Sequence, residues 1–283
     1  MKNFLFLSII FMSFNSFAFE IPKPFAKSIP LTSDYVESNY LQYDFEAIVK
    51  LSNCSGAVIR FSGQPDTSKA YVLTNGHCIQ KPGGYLSPGE VWSNKTVSRS
   101  MRVFDAKMKL HYVTATSIVY ATMTNTDSAI YELKETYRDL MDLGIDAYLL
   151  IESRPLLNTN IDIVSGYWDR GYRCHIDGFV HELLEGDWTF TDSIRYSDFG
   201  CETIGGTSGS PIIETGTRNV IGINNTGNKD GGRCTLNNPC ESDIDGNITV
   251  MLRSYGQQTF HFYNCLTPDF KIDLTVSGCN LPK

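Results

Sequence analysis

Several things are missing from this chain of 283 residues. No block of Lys or Arg occurs anywhere: the two together number 24 against 31 Asp and Glu, a net charge of -7. Nucleic acid and anionic membranes are held by a basic face, so both are disfavoured as partners. The CxxC and CxxH spacings of structural zinc sites are absent, and neither metal nor cofactor is expected. Past the first residues no apolar run approaches the ~20 residues that a bilayer span takes, so no stable membrane anchor is expected. Helical periodicity is scarce, and no internal repeat is visible.

What is present starts with MKNFLFLSIIFMSFNSFAFE: one lysine, an apolar run over 4–12, and small residues at Ser16 and Ala18. This pattern reads as a signal peptide, residues 1–18, and implies a secreted or periplasmic protein. Residues 19–44 carry three prolines and little alternation, as an irregular arm or a pro-segment would. The eight cysteines, an even number in an exported chain, predict disulfides.

Short runs rich in aromatic and β-branched residues recur between turn signals: EAIVKL, GAVIRF, AYVLT, TATSIVYAT, SAIYEL, IDIVSGYW, WTFTDSIRY, NVIGINN and ITVML. Many short strands with few helices predict an all-β chain, barrels or a sandwich. KETYRDLMDLG predicts one short helix ending at Gly144, placed with the following residues as a link between two β domains.

GGTSGSPII, residues 205–213, sets Ser208 among glycines ahead of an apolar strand. A serine hydroxyl is a poor nucleophile unless an imidazole takes its proton and a carboxylate steadies the imidazole. Without such partners the segment is an ordinary turn. His77, in YVLTNGHCIQ, stands where an apolar strand ends in a glycine turn. Asp127, in TNTDSAIYEL, stands at the entrance of another strand, as an orienting carboxylate or as a plain turn residue. An α/β-hydrolase elbow would need a glycine where Ser210 stands and a helix where Pro211 and a strand follow. HELLE, 181–185, lacks the second histidine of HExxH and reads as a short surface segment. DIDGN, 243–247, reads as an Asp-Gly turn.

TNGHC, DSAIYEL and GGTSGSP, in that order, resemble the histidine, aspartate and serine segments of the trypsin-like (chymotrypsin-fold) serine peptidases, a likeness extending over residues 45–260. The resemblance implies two antiparallel six-stranded β-barrels with the active site in the cleft between them. It implies that Ser208 is the nucleophile, His77 the general base and then acid, and Asp127 the orienting carboxylate. The N–H groups of Gly206 and Ser208 would form the oxyanion hole. Such an endopeptidase works on a protein or peptide substrate through an acyl-enzyme, without a cofactor, and is expected as a monomer. A catalytically silent trypsin-like binding module and a secreted esterase are the competing readings.

Counting back from the nucleophile, the resemblance puts Glu202, with Thr203 beside it, at the base of the primary pocket. That implies cleavage after Arg or Lys, although Glu202 reads equally as a loop carboxylate bonded to neighbouring N–H groups. GINNTG, 222–227, resembles the family's substrate-pairing strand and places Asn225, Thr226 and Gly227 along the substrate backbone. Asn224 beside them suits polar or acidic side chains, as in glutamyl-specific relatives. Thr207 stands where trypsin has the aspartate that captures a new N-terminus, so activation by such an insertion is not expected. Expected disulfides are Cys54 with Cys78, Cys174 with Cys201, Cys234 with Cys240, and Cys265 with Cys279. The domains expected are 45–135 and 159–264, joined by a linker over 136–158 and followed by a pinned tail over 265–283.

Overall fold

The computed structural model describes residues 43–283. The expected signal peptide and all but the last two residues of the expected arm lie outside the described residues.

Among the described residues fifteen strands are formed: β1 (Ile48–Lys50), β2 (Ser55–Arg60), β3 (Lys69–Thr74), β4 (Val91–Phe104), β5 (Leu110–Thr122), β6 (Ser128–Thr136), β7 (Tyr148–Leu150), β8 (Asn160–Ser165), β9 (Arg170–Glu185), β10 (Trp188–Tyr196), β11 (Pro211–Glu214), β12 (Asn219–Gly227), β13 (Cys240–Ser242), β14 (Ile248–Thr249) and β15 (Ser254–Gln258). The first six pair antiparallel in the order β1-β4-β5-β6-β3-β2, and β2 returns to β1. That closed ring of six leaves no free edge. A second ring of six runs β12-β11-β8-β9-β10-β15 and closes through the β12–β15 pairing, again antiparallel throughout. The all-β architecture of two six-stranded units is thus the one the chain adopts. β7 lies between them and pairs in parallel with both β2 and β12.

Each ring encloses its own apolar side chains. Val58, Val72, Ile118 and Tyr131, which stand side by side in register, are buried in the first, and Ile163, Ile176, Ile194 and Ile212 in the second. Removing each such side chain from water contributes about 1.5–3 kcal/mol, so these stripes fix which face of every strand turns inward.

The short runs read as strands take part in the ladders, but the two longest strands, β4 with 14 residues and β9 with 16, lie outside those runs altogether. Both are polar along much of their length because one face stays in water. ITVML is a strand only over Ile248–Thr249, where β14 pairs with β13. The expected helix is a single turn, α1 (Tyr137–Met141), capped by Thr136 and Asp139 in a capping box. Residues 243–247 form a turn closed on Asp243, whose carboxylate accepts the N–H groups of Asp245 and Asn247. Among the described residues no helix is long and apolar enough to cross a membrane.

Candidate active site

β3 ends at Thr74 and the chain turns through a single 3₁₀ turn, Gly76–Cys78. This places His77 at the rim of the first ring. A side chain cannot replace the hydrogen of Gly76, because a Cβ there would sit 2.0 Å from the carbonyl oxygen of Thr122. Asp127, one residue ahead of β6, is buried at 1% exposure. Its Oδ2 lies 2.6 Å from His77 Nδ1, and its Oδ1 accepts the backbone N–H of His77 at 3.0 Å. Asn75 adds a side-chain bond to the carbonyl of Asp127 at 2.7 Å. With Nδ1–H given to the carboxylate, His77 keeps Nε2 as an acceptor facing the cleft.

The position of His77 is also fixed from the far side. Cys78 is bonded to Cys54, immediately ahead of β2, and its carbonyl accepts from Arg99 at 2.9 Å and Asn53 at 3.2 Å. The sulfurs of Cys54 and Cys78 and the His77 ring lie close enough together to suggest a metal cluster, but the thiols are joined in the disulfide and offer no thiolate.

Ser208 stands in the loop between β10 and β11, braced by the Cys174–Cys201 disulfide. It lines one cleft of about 310 Å³ together with His77, Asp127, Asn224, Asn225 and Glu185. The first ring supplies the histidine and aspartate, and the second supplies the rest. The Ser208 hydroxyl donates to the carbonyl of Asn225 at 3.1 Å, and among the described residues no hydrogen bond joins it to His77.

The backbone of this loop is sorted by direction. The carbonyl of Ile204 accepts the N–H of Thr207 at 2.9 Å, that of Gly205 the indole N–H of Trp168 at 2.7 Å, and that of Gly206 the hydroxyl of Ser55 at 3.1 Å. Thr207 accepts from Ser210 at 3.0 Å, and Ser208 from the Ser55 N–H at 2.8 Å. The N–H groups of Gly206 and Ser208 have no partner among the described residues. Gly206 takes φ +91°, which only glycine adopts at ease.

Other residues singled out in the sequence fall in different places. Thr203 is buried in the cleft wall, with Asn224 and Asn225. Thr226 and Gly227 continue that wall on β12. Glu202 is exposed, accepts the N–H of Gly200 at 3.0 Å, and does not line the cleft. Thr207 is fully buried, its hydroxyl 3.4 Å from that of Tyr172. The Cys234–Cys240 disulfide closes a loop whose Leu236 and Asn237 reach the cleft, and Cys265–Cys279 ties down the C-terminal segment.

HELLE is not a surface segment throughout: it lies in β9, and its last residue, Glu185, is buried in the cleft wall. Glu185 Oε1 accepts from Thr226 Oγ1 at 3.0 Å and from the N–H of Asn237 at 2.7 Å. Burial raises its carboxyl above the ordinary value despite those bonds and the nearby His77. Burial pulls the His77 imidazole down, but the charge and hydrogen bond of Asp127, with a smaller push from Glu185, outweigh it and leave the imidazole raised. The signal for Glu185 was in the alternation: it stands two residues after Leu183 and shares its inward face.

Two closed six-strand rings, with an Asp–His pair from one and a serine loop from the other lining the same cleft, define the fold of the two-barrel peptidases. The family model of the trypsin-like peptidase domain matches residues 54–223, and the chain belongs to that family. Among solved structures it is similar to the MamO protease domain from Magnetospirillum magneticum in its apo form, at 12% identity and TM-score 0.47, over 76% of this chain and 93% of that one. It is also similar to the Nocardiopsis protease, at 11% identity and TM-score 0.43, over 75% of this chain and 90% of that one. No curated protein matches it.

Proposed function

We propose that this protein is a secreted or periplasmic serine endopeptidase, with Ser208 as nucleophile, His77 as base and then acid, and Asp127 as the carboxylate that orients the imidazole. The observation that carries the reading is the doubly held Asp127–His77 pair facing the same cleft as Ser208. On binding, a peptide N–H takes the Asn225 carbonyl and frees the Ser208 hydroxyl to turn to His77 Nε2. Ser208 Oγ attacks the scissile carbonyl as its proton passes to His77, and the oxygen that becomes negative is received by the N–H groups of Gly206 and Ser208. His77 then gives the proton to the leaving amine. Water repeats the sequence on the acyl-enzyme.

Four disulfides support an oxidising compartment. Residues 45–135 and 159–264 serve as the two walls of the site. For the side chain ahead of the scissile bond, the wall of Thr203 and Asn224 offers neutral polar groups, while Lys229 is offset by Asp230 and Glu185 in the same cleft, so the lining supports a polar group. Glu202, the basis for a basic preference, is engaged elsewhere.

The bond from Ser208 to Asn225 favours one other reading, a catalytically silent domain that binds peptides without cleaving them. A fluorophosphonate probe separates the two. Labelling and peptide cleavage by the unaltered protein, both lost in Ser208→Ala, are expected; an unaltered protein that neither labels nor cleaves would establish the silent domain.

A further inference from the structure

We infer that Trp168 is a positioning residue of this site, whose indole N–H sets the direction of the peptide between Gly205 and Gly206 and so aims the Gly206 N–H at the reacting carbonyl. The inference rests on the proposed peptidase function.

Residues 204–207 form a β-turn closed by the Thr207 N–H on the carbonyl of Ile204. Of the two central residues only Gly206 has positive φ, at +91°, which makes the turn type II. Types I and II differ mainly by a half-turn of the central peptide, which reverses its C=O and N–H together because a trans peptide holds them opposed. Most sequences settle the choice sterically, but two consecutive glycines leave both orientations open. Something outside the turn must decide, and Thr207 supplies no charge for the task.

The deciding contact is on the outer face. Trp168 Nε1 donates to the Gly205 carbonyl at 2.7 Å. With that oxygen held outward, the Gly206 N–H points the other way and has no partner among the described residues. In the type I form the Gly205 oxygen would face the cleft, where a developing oxyanion would meet a carbonyl.

Trp168 is itself held. Its N–H bonds to Ser165 Oγ at 3.3 Å, and its ring packs edge-on against Tyr167 at 4.9 Å between centroids. Ser55 Oγ lies 3.0 Å from Ser165 Oγ and accepts the Tyr167 N–H at 3.1 Å, while it also donates to the Gly206 carbonyl. The hydroxyls of Ser55 and Ser165 thus tie the 165–168 segment to the serine loop. The aromatic pair lies close against the turn, since a Cβ on Gly206 would come within 2.7 Å of Tyr167 Cδ1 and 3.0 Å of Trp168 Nε1.

The test compares the full-length protein with Trp168→Phe and with Trp168 replaced by benzothienylalanine, which keeps the indole shape and lacks only the N–H. Trp168 is 42% exposed, and the second replacement leaves its packing unchanged, so folding is preserved in at least that variant. Kinetics on a peptide substrate and affinity for a peptide aldehyde, which becomes a tetrahedral adduct, are measured together. For both variants kcat is expected to fall about tenfold, the effect of losing one hydrogen bond that biases a two-way choice, with aldehyde affinity falling in parallel and KM unchanged. A benzothienylalanine protein that keeps kcat and aldehyde affinity within about twofold of the unaltered protein, or that changes only in KM, overturns the role of Trp168 while leaving the peptidase function intact. An unaltered protein that fails to label with fluorophosphonate overturns both.

Discussion

Both oxygens of Asp127 are committed to His77, Oδ2 to the ring Nδ1 at 2.6 Å and Oδ1 to the backbone N–H at 3.0 Å. One carboxylate therefore fixes the ring's tautomer and the turn that carries it. Asp127→Asn preserves size and removes the charge, leaving an amide that can present its NH₂ to Nδ1 and invert the tautomer. kcat is expected to fall by about 10⁴, as in the Ser-His-Asp template, with KM little changed. Steady-state hydrolysis of a peptide ester and a peptide amide reads both quantities.

The raised imidazole sets the acid limb of activity. His77 must be neutral to accept a proton, so kcat/KM is expected to be lost as pH falls through a midpoint above 6.5, the unperturbed value. Glu185 is one of the groups pushing that midpoint up. Glu185→Gln keeps an oxygen for Thr226 and the Asn237 N–H but removes the charge, so the limb moves to lower pH. A pH profile of kcat/KM for the two proteins checks the sign.

Cys54–Cys78 spans 24 residues and ends beside His77. Replacing both with serine is expected to cost about 3 kcal/mol through the restored freedom of the unfolded chain. Denaturant titration measures it. Activity should decline further than stability alone explains, because Cys78 is the neighbour of the base.

Glu202→Gln is expected to leave the cleavage profile of a peptide library unchanged, with polar residues ahead of the cut. The carboxylate is exposed and occupied by the Gly200 N–H, so neutralising it alters no lining group. A profile dominated by Arg and Lys that disappears in this variant would restore Glu202 to the pocket.

The parts of the site legible in the sequence are those written in contiguous residues. TNGHC, TNTDS and GGTSGSP each carry their own turn chemistry, so His77, Asp127 and Ser208 could be singled out before any fold was known. The all-β class was legible too, because period-2 burial leaves a trace in every short strand. Glu185 and Trp168 were not found, for different reasons. Glu185 sits on a long strand whose outward face is polar, which hid the one inward carboxylate. Trp168 acts on Gly205 across 37 residues, and a contact made only by the closing of the second ring has no local signature.

β7 is three residues long, yet its edges are shared between both rings. A hinge would require one of those edges to be free. The walls that carry His77 and Ser208 are instead splinted by a common rung, and swinging one wall away from the other about it would break backbone hydrogen bonds on one of its sides.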